Sequence, residues 1–179
     1  MRVSVYAMIL AGLCLLGGAA QSQAQAQVAA IKLGVLNDQS GLYTDLSGPG
    51  GVDAVKMAVE DFGNAIPGAK IEVITADHQN KPDIGSSIAQ QWFDQDHVDA
   101  LFDVPSSGVA LAVQEVARKS GKIAIFSGPA TSDLTGAKCS PTGFHWTYDT
   151  YALAKGTGAA ITKSGGDTWF FLTADYAFG

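Results

Sequence analysis

The stretch LFDVPSSGVALAV, Leu101–Val113, gives the clearest indication of the fold of this 179-residue chain. An apolar run typical of a buried strand stops at Asp103, and a second apolar run with helical spacing begins after two adjacent serines, Ser106 and Ser107. A similar junction follows in IAIFSGPATSD, Ile123–Asp133, where an apolar run again ends in small polar residues. Two junctions of this kind indicate repeated strand–helix units.

The same alternation of strand and helix extends over most of the chain. Strands are predicted at Ile31–Leu36, Lys70–Asp77, Val98–Asp103 and Lys122–Phe126. Helices are predicted at Gly51–Ala65, Pro82–Gln95 and Gly108–Lys119. In the first of these helices, the face predicted to be buried carries Val55, Ala58, Val59 and Phe62. Because strands that alternate with helices form right-handed βαβ units, the sequence predicts an α/β fold with a parallel, doubly wound sheet.

The third predicted helix has recognisable ends. Ser107 stands at the position of an N-cap, since a serine hydroxyl accepts hydrogen bonds from the first free backbone N–H groups of a helix. Lys119 lies in the last turn and Gly121 follows it, which is the usual way for a helix to end.

The regular pattern changes after Asp133. The segment Leu134–Thr150 has no clear period and is predicted to be a long connection, followed by a helix at Tyr151–Gly165 and a strand at Asp167–Asp175. The given chain ends directly after that strand, within a strand–helix unit. We therefore expect a truncated chain, with lobe one of an α/β protein over residues 28–147 and the start of a second lobe over residues 148–179.

The first 26 residues have the pattern of a secretory signal peptide. Arg2 supplies the positive charge, Tyr6–Ala20 is the apolar core, and Ala24–Ala26 (AQA) supplies small residues before a cleavage site, so the mature chain begins at Gln27. A membrane anchor is the alternative, but the apolar run is shorter than a bilayer span. The sequence therefore predicts export to the periplasm, where Cys139 is the one cysteine left, either free or bonded to a partner outside this chain.

Several classes of function are not supported. The formal net charge is −6 and no basic run is present, which argues against nucleic-acid binding. The GPGG stretch at Gly48–Gly51 lacks the glycine that a dinucleotide fingerprint needs where Asp53 stands. Neither Ser106 nor Ser107 lies in a GxSxG nucleophile motif, and the three histidines are isolated in sequence. We therefore expect no enzyme activity, no cofactor and no metal site.

The strand ends instead predict a ligand-binding site. In a parallel sheet ligands bind outside the carboxyl ends of the strands, where Tyr43 follows the first strand and the two polar junctions follow the third and fourth. Serine and threonine hydroxyls beside a helix N-terminus are suited to a carboxylate, and small residues let the backbone approach a ligand. The candidate residues are Ser106, Ser107, Pro129, Ala130 and Thr131. The alternative is that Ser107 only caps its helix.

Four stretches of the sequence resemble one protein family. They are IKLGVLNDQSGLY (Ile31–Tyr43), VDALFDVPSSGVALAVQEVA (Val98–Ala117), FSGPATSDLTG (Phe126–Gly136) and FFLTADYAFG (Phe170–Gly179). In this order they resemble the type 1 periplasmic solute-binding proteins of ABC importers, in the leucine/isoleucine/valine-binding branch. The resemblance covers residues 28–179 and implies two lobes joined by a hinge. It also implies a ligand in the cleft and delivery of that ligand to a membrane permease, without catalysis.

The resemblance also implies roles for individual residues. Ser106, the backbone at Pro129, and Thr131 would hold the carboxylate and amino groups of an amino acid, Tyr176 would contribute from lobe two, and Tyr148 would lie by the hinge. The family's lobe-one disulfide has no counterpart, since Pro105 stands at one of its positions, and the acidic residue that receives the ligand's ammonium would lie beyond Gly179.

The ligand and the biological role therefore stay open. Aromatic carboxylates, amides and urea are alternative ligands. An aromatic ring would suit a set of four side chains that could equally be ordinary packing: Tyr43, Trp146, Tyr148 and Tyr176. A sensory receptor or regulator domain of the same fold is the alternative to transport.

Overall fold

The computed structural model describes residues 30–62, 65–66 and 68–179, and the predicted signal peptide lies outside them. The strands are β1 (Ile31–Asn37), β2 (Ile71–Asp77), β3 (Ala100–Asp103), β4 (Ile123–Phe126) and β5 (Gly143–His145). The helices are α1 (Gly48–Phe62), α2 (Pro82–Asp94), α3 (Ser107–Ser120) and α4 (Thr150–Lys163), with a short 3₁₀ helix at Ser132–Leu134. None of these helices, in the part of the chain described, has the length and hydropathy that a membrane-spanning helix needs.

The strands form one sheet in the order β2-β1-β3-β4-β5, and every neighbouring pair is parallel. The predicted α/β fold with a parallel sheet is confirmed. The chain places β2 on one side of β1 and then β3, β4 and β5 on the other side. The strand order therefore reverses between β1 and β3, and in sheets of this kind ligands bind next to such a reversal. Leu36 is the register partner of Asp103, which is in turn the partner of Phe126, so the ends of β1, β3 and β4 lie level with one another.

The hydrophobic core lies between one face of the sheet and helices α2 and α3. Leu36, Leu101 and Phe126 point from the strands into this layer and are fully buried. Trp92 of α2 fits because Gly34 has no side chain: a Cβ added there would lie 2.5 Å from the indole ring. Burial of this layer supplies most of the driving force for folding of the lobe.

The opposite face of the sheet is less covered, because α1 packs mainly against the part of it formed by β1 and β2. Val52 is the buried apolar side chain of α1, whereas Val55 and Val59 are half-buried and Ala58 and Phe62 are exposed, so the predicted buried face is only partly correct. An apolar groove of about 480 Å³ remains between α1 and the sheet, and Leu33, Phe102 and Ile125 contribute to its lining.

The predicted connection after Asp133 contains a strand that the sequence did not reveal. Strand β5 (Gly143–His145) pairs with β4. The buried Gln114 of α3 holds the preceding loop, since its Nε2 donates to the carbonyl of Leu134 at 3.1 Å and to that of Lys138 at 2.6 Å. The loop's hydrogen bonds therefore come from a helix distant in sequence, which a local pattern cannot show.

The end of the chain differs from the prediction. Helix α4 is present over Thr150–Lys163, and Asp149 caps it by accepting a hydrogen bond from the N–H of Ala152 at 2.7 Å. The predicted strand at Asp167–Asp175 is wrong, because these residues have no regular structure. A strand is stable only beside another strand, and within the described residues no strand pairs with this segment.

The exposed WFFL stretch predicts self-association of the 179-residue chain. Phe170 and Leu172 are 90% and 91% exposed, next to Trp169 and Phe171, and a contiguous apolar strand-forming segment of this kind promotes aggregation. We expect Phe170→Asp with Leu172→Asp to reduce aggregation, measured by light scattering of the purified chain. Leu42→Asp is the control, because Leu42 is also exposed but does not belong to this stretch. Equal aggregation of the double variant and the parent would contradict the prediction.

A buried histidine leads to a prediction about how stability depends on pH. His78 follows β2 and is fully buried, and its Nδ1 accepts the N–H of Asn80 at 3.0 Å. Burial lowers the pKa of His78 below its ordinary 6.5, although the nearby carboxyl groups of Asp38, Asp77 and Asp103 act in the opposite direction. Its neutral form is therefore the one that the folded state favours.

We expect the free energy of unfolding to fall as the pH is lowered from about 7 to about 5. Below the ordinary histidine pKa of about 6.5 the unfolded chain binds a proton at His78 that the folded chain does not, so stability is lost as the pH falls. His78→Asn keeps a hydrogen-bond acceptor for Asn80 and should flatten this dependence in urea-unfolding measurements at several pH values. The same substitution at the exposed His97 should leave it unchanged. An equally steep decline in His78→Asn would show that another group is responsible.

Candidate ligand-binding site

A small pocket lies outside the carboxyl ends of β1, β3 and β4. Its volume is about 170 Å³, and its walls come from the loop after β1, from both polar junctions and from the last residues of the chain. The lining residues are Tyr43, Leu46, Pro105, Ser107, Gly128, Ala130, Tyr148, Tyr176 and Phe178. Five of the predicted site residues are among them: Tyr43, Ser107, Ala130, Tyr148 and Tyr176. Ser106, Pro129 and Thr131 do not line the pocket but lie buried in the same two junctions.

Ser107 joins the two junctions. Its Oγ accepts hydrogen bonds from the backbone N–H groups of Ala130 and Thr131, both at 3.3 Å. The prediction that Ser107 is the N-cap of α3 is wrong: the helix begins at Ser107, and Ser106 holds the N-cap position. Because the Ser107 oxygen acts as the acceptor in both bonds, its own O–H remains able to donate to a group in the pocket.

Ser106 holds the N-cap position without capping through its side chain. Its backbone is extended, with φ −84° and ψ 126°, and its hydroxyl makes no capping hydrogen bond. The residue is only 3% exposed and directly precedes Ser107 of the pocket lining, at the N-terminus of α3. Free N–H groups and hydroxyls at a helix N-terminus favour a carboxylate ligand.

The junction after β4 is held by contacts with β5 and with the start of α4. His145 of β5 contacts the carbonyl oxygen of Pro129 through Nε2 at 2.6 Å, and the N–H of Thr150 donates to the carbonyl of Ala130 at 2.7 Å. Thr131 Oγ1 accepts the N–H of Asp133 at 3.4 Å, which caps the 3₁₀ helix and leaves the hydroxyl hydrogen for another acceptor. The loop is therefore shaped before any ligand is present.

The aromatic wall of the pocket consists of Tyr43, Tyr148, Tyr176 and Phe178. The hydroxyls of Tyr43 and Tyr176 are in hydrogen-bond contact, and the ring of Tyr176 stacks on Phe178 with centroids 5.9 Å apart. Burial and the contact with Tyr176 raise the pKa of Tyr43 well above its ordinary value, so this phenol keeps its proton at physiological pH. Tyr148 completes the wall and is half exposed.

The loop that carries Tyr43 is held by a buried carboxyl group. Asp38, directly after β1, accepts the N–H groups of Gly41 and Tyr43, each at 2.8 Å. The absence of a side chain at Gly41 permits this turn, because a Cβ there would lie 2.5 Å from an Asp38 oxygen. Tyr43 is thus directed to the pocket by hydrogen bonds local to the loop.

Sequence reasoning missed two apolar wall residues, Leu46 and Phe178, and a polar pair behind the site, Asn37 and Asp103. An acidic residue at the end of an apolar strand was the available indication for Asp103. The wall residues had none, because contact between residues near opposite ends of the chain arises only from folding. Within the described residues no group of three or more histidine, cysteine, aspartate or glutamate side chains is placed to hold a metal ion.

Solved structures with this fold include several binding proteins. The chain is 51% identical to a periplasmic binding protein from Burkholderia mallei (TM-score 0.80), with 84% of this chain and 40% of that chain covered. It is 38% identical to a branched-chain amino acid ABC transporter periplasmic ligand-binding protein from Burkholderia xenovorans (TM-score 0.74), with 83% and 40% covered. It is 26% identical to an ABC transporter solute-binding protein from R. palustris in complex with benzoate (TM-score 0.69), with 76% and 38% covered.

The chain therefore spans about 40% of the length of the two more similar structures. Comparison with curated protein sequences found no match. The family model named periplasmic binding protein matches residues 30–179, which include the whole parallel sheet and both polar junctions. With the solved structures at 51% and 38% identity, this match shows that the chain belongs to the periplasmic binding protein family.

Proposed function

We propose that the protein is the extracytoplasmic solute-binding component of an ABC importer and that it captures a small carboxylate in the pocket at the strand ends. The observation that carries this proposal is the arrangement around Ser107, where one hydroxyl joins the two polar junctions beside the N-terminus of α3. A carboxylate placed there meets neutral donors and the positive end of a helix dipole, and it needs no bound cation.

The proposed partners are the small-molecule ligand and the membrane permease of the importer. Support comes from the relative at 38% identity, which is described as a branched-chain amino acid ABC transporter periplasmic ligand-binding protein. A ligand-sensing receptor would use the same pocket, so binding alone does not separate the two roles. Ligand-dependent stimulation of the cognate permease–ATPase complex by the full protein would support transport, and its absence with a bound ligand would favour sensing.

Among the candidate ligands, a branched-chain amino acid and an aromatic carboxylate are the two classes that carry a carboxylate; amides and urea are the further alternatives. The three tyrosines of the pocket favour an aromatic ring, because their faces and edges pack against it, and the relative at 26% identity is described in complex with benzoate. Thermal-shift measurements with L-leucine, L-isoleucine and benzoate on a protein that carries both lobes decide between the classes. A shift with the amino acids alone would exclude the aromatic alternative, and no shift with any of the three would count against the proposed function.

The hydroxyls at the two junctions give a prediction for binding. The test ligand is whichever of these three compounds raises the melting temperature. We expect Ser106→Ala and Thr131→Ala each to weaken its binding about tenfold or more, since a hydrogen bond to a charged group contributes about 1.5–3 kcal/mol. Titration calorimetry measures the change. Ser86→Ala is a matched control, because its hydroxyl bonds only to the carbonyl of Asp83 on α2, away from the pocket.

Ser107→Ala should differ from these variants. It leaves the N–H groups of Ala130 and Thr131 without their acceptor, so we expect a loss of stability as well as a loss of affinity. Thermal melts recorded beside the titrations separate the two effects. Unchanged affinity in both Ser106→Ala and Thr131→Ala would refute the assignment of the carboxylate site even in a protein of this family.

The proposed location gives a prediction for processing. If the segment 1–26 is a signal peptide, the exported protein begins at Gln27 or within a few residues of it. Mass spectrometry of the intact protein from the periplasmic fraction measures this. Recovery of the protein mainly in the cytoplasm with its first residues intact would contradict the periplasmic location.

A further inference from the structure

Asp103 is a buried acidic residue that the pocket itself does not use. It is the last residue of β3 and is 8% exposed, and none of the ion pairs formed by the described residues includes it. Its Oδ2 accepts Nδ2 of Asn37 at 3.1 Å, its Oδ1 accepts the hydroxyl of Ser127, and its carbonyl accepts the N–H of Ser127 at 3.2 Å. Burial of a carboxyl group is costly, so these contacts have to compensate for it.

The two side-chain partners of this carboxyl group lie at the ends of two other strands, next to residues that line or support the pocket. Asn37 ends β1 and is followed by Asp38, which holds the Tyr43 loop. Ser127 follows β4 and precedes Gly128 of the pocket lining. One side chain therefore ties together the ends of β1, β3 and β4, from which the loops that line the pocket start.

The backbone at this point is strained. Asp103 has φ +83° and Val104 has φ +52°, a region that residues with a Cβ rarely adopt and that is least suited to a β-branched side chain. Such conformations persist where the surroundings impose them, and they concentrate at ligand sites. The N–H of Val104 bonds to the carbonyl of Leu36 at 3.0 Å, so the strained turn is held from β1 before the chain reaches Ser106.

We infer that Asp103 is a positioning residue that sets the distance between the Ser106–Ser107 junction and the Ala130–Thr131 junction. The inference rests on the proposed function, because its consequence is the affinity of the pocket. The two hydrogen bonds of Ser107 to Ala130 and Thr131 are already long, at 3.3 Å each. A small shift of β3 against β4 breaks them and separates the donors that face a ligand.

Helix α1 offers a way to disturb the carboxyl group without changing it. A Cβ added at Gly51 would lie 2.4 Å from Asp103 Oδ2, whereas a Cβ added at Gly50 would meet nothing within 4 Å. Both glycines are in the same helix, and neither has a positive φ. Alanine is the better helix former at both positions, so Gly50→Ala is a matched control for Gly51→Ala.

The experiment compares Asp103→Asn, Gly51→Ala and Gly50→Ala in the protein that carries both lobes. Amide hydrogen exchange of Ala130 and Thr131 reports, without any ligand, whether their hydrogen bonds to Ser107 persist. Calorimetric titration with L-isoleucine and with benzoate reports the consequence for binding. We expect both Asp103→Asn and Gly51→Ala to speed exchange at these two amides about tenfold. Both variants should also weaken binding about tenfold, which corresponds to about 1.4 kcal/mol. Gly50→Ala should change neither quantity, although it stabilises the helix.

Three results would overturn the inference. The first is unchanged exchange at Ala130 and Thr131 in both Asp103→Asn and Gly51→Ala, and the second is faster exchange with unchanged affinity for a probe that binds the parent protein. The third is an equal loss of affinity in Gly50→Ala. Faster exchange in the two variants, with no binding of either probe by the parent, supports the positioning role and counts against the proposed function instead.

Discussion

Parallel pairing of β3 with β1 on one side and with β4 on the other brings the residues of the candidate site together. Parallel strands have their carboxyl ends at one edge of the sheet, and the register places Leu36, Asp103 and Phe126 level with one another. The polar residues that follow the three strands therefore begin at the same level along the edge of the sheet. The hydroxyl of Ser107 can reach the N–H groups of Ala130 and Thr131 only because the two strands are neighbours.

Polar groups at this edge form two layers with different roles. The layer that faces the pocket offers hydroxyls, phenols and the N-terminus of α3, all suited to a negatively charged ligand. The layer beneath it contains the carboxyl groups of Asp38 and Asp103, which accept hydrogen bonds from loops and strand ends. The acidic side chains therefore hold the loops and strand ends in place, and the hydrogen-bond donors line the pocket.

Much of the fold was predictable because its patterns are local. Apolar runs, a proline at a helix start and Gly121 after α3 mark elements within a few residues of themselves, and the parallel sheet follows from their alternation. Strand β5 and the missing strand at Asp167–Asp175 were predicted wrongly for one reason. Whether a short segment pairs depends on a neighbouring strand, and residues distant in sequence supply that neighbour.

Hydrophobic period and side-chain chemistry are properties of the chain, so they were enough to predict the α/β class, the two polar junctions and the residue types suited to a carboxylate. Three contacts became visible only in the folded protein: Ser107 with Ala130 and Thr131, Tyr43 with Tyr176, and Asp103 with the ends of β1 and β4. Each of these contacts joins segments far apart in the chain, so it exists only once the strands have taken their order in the sheet.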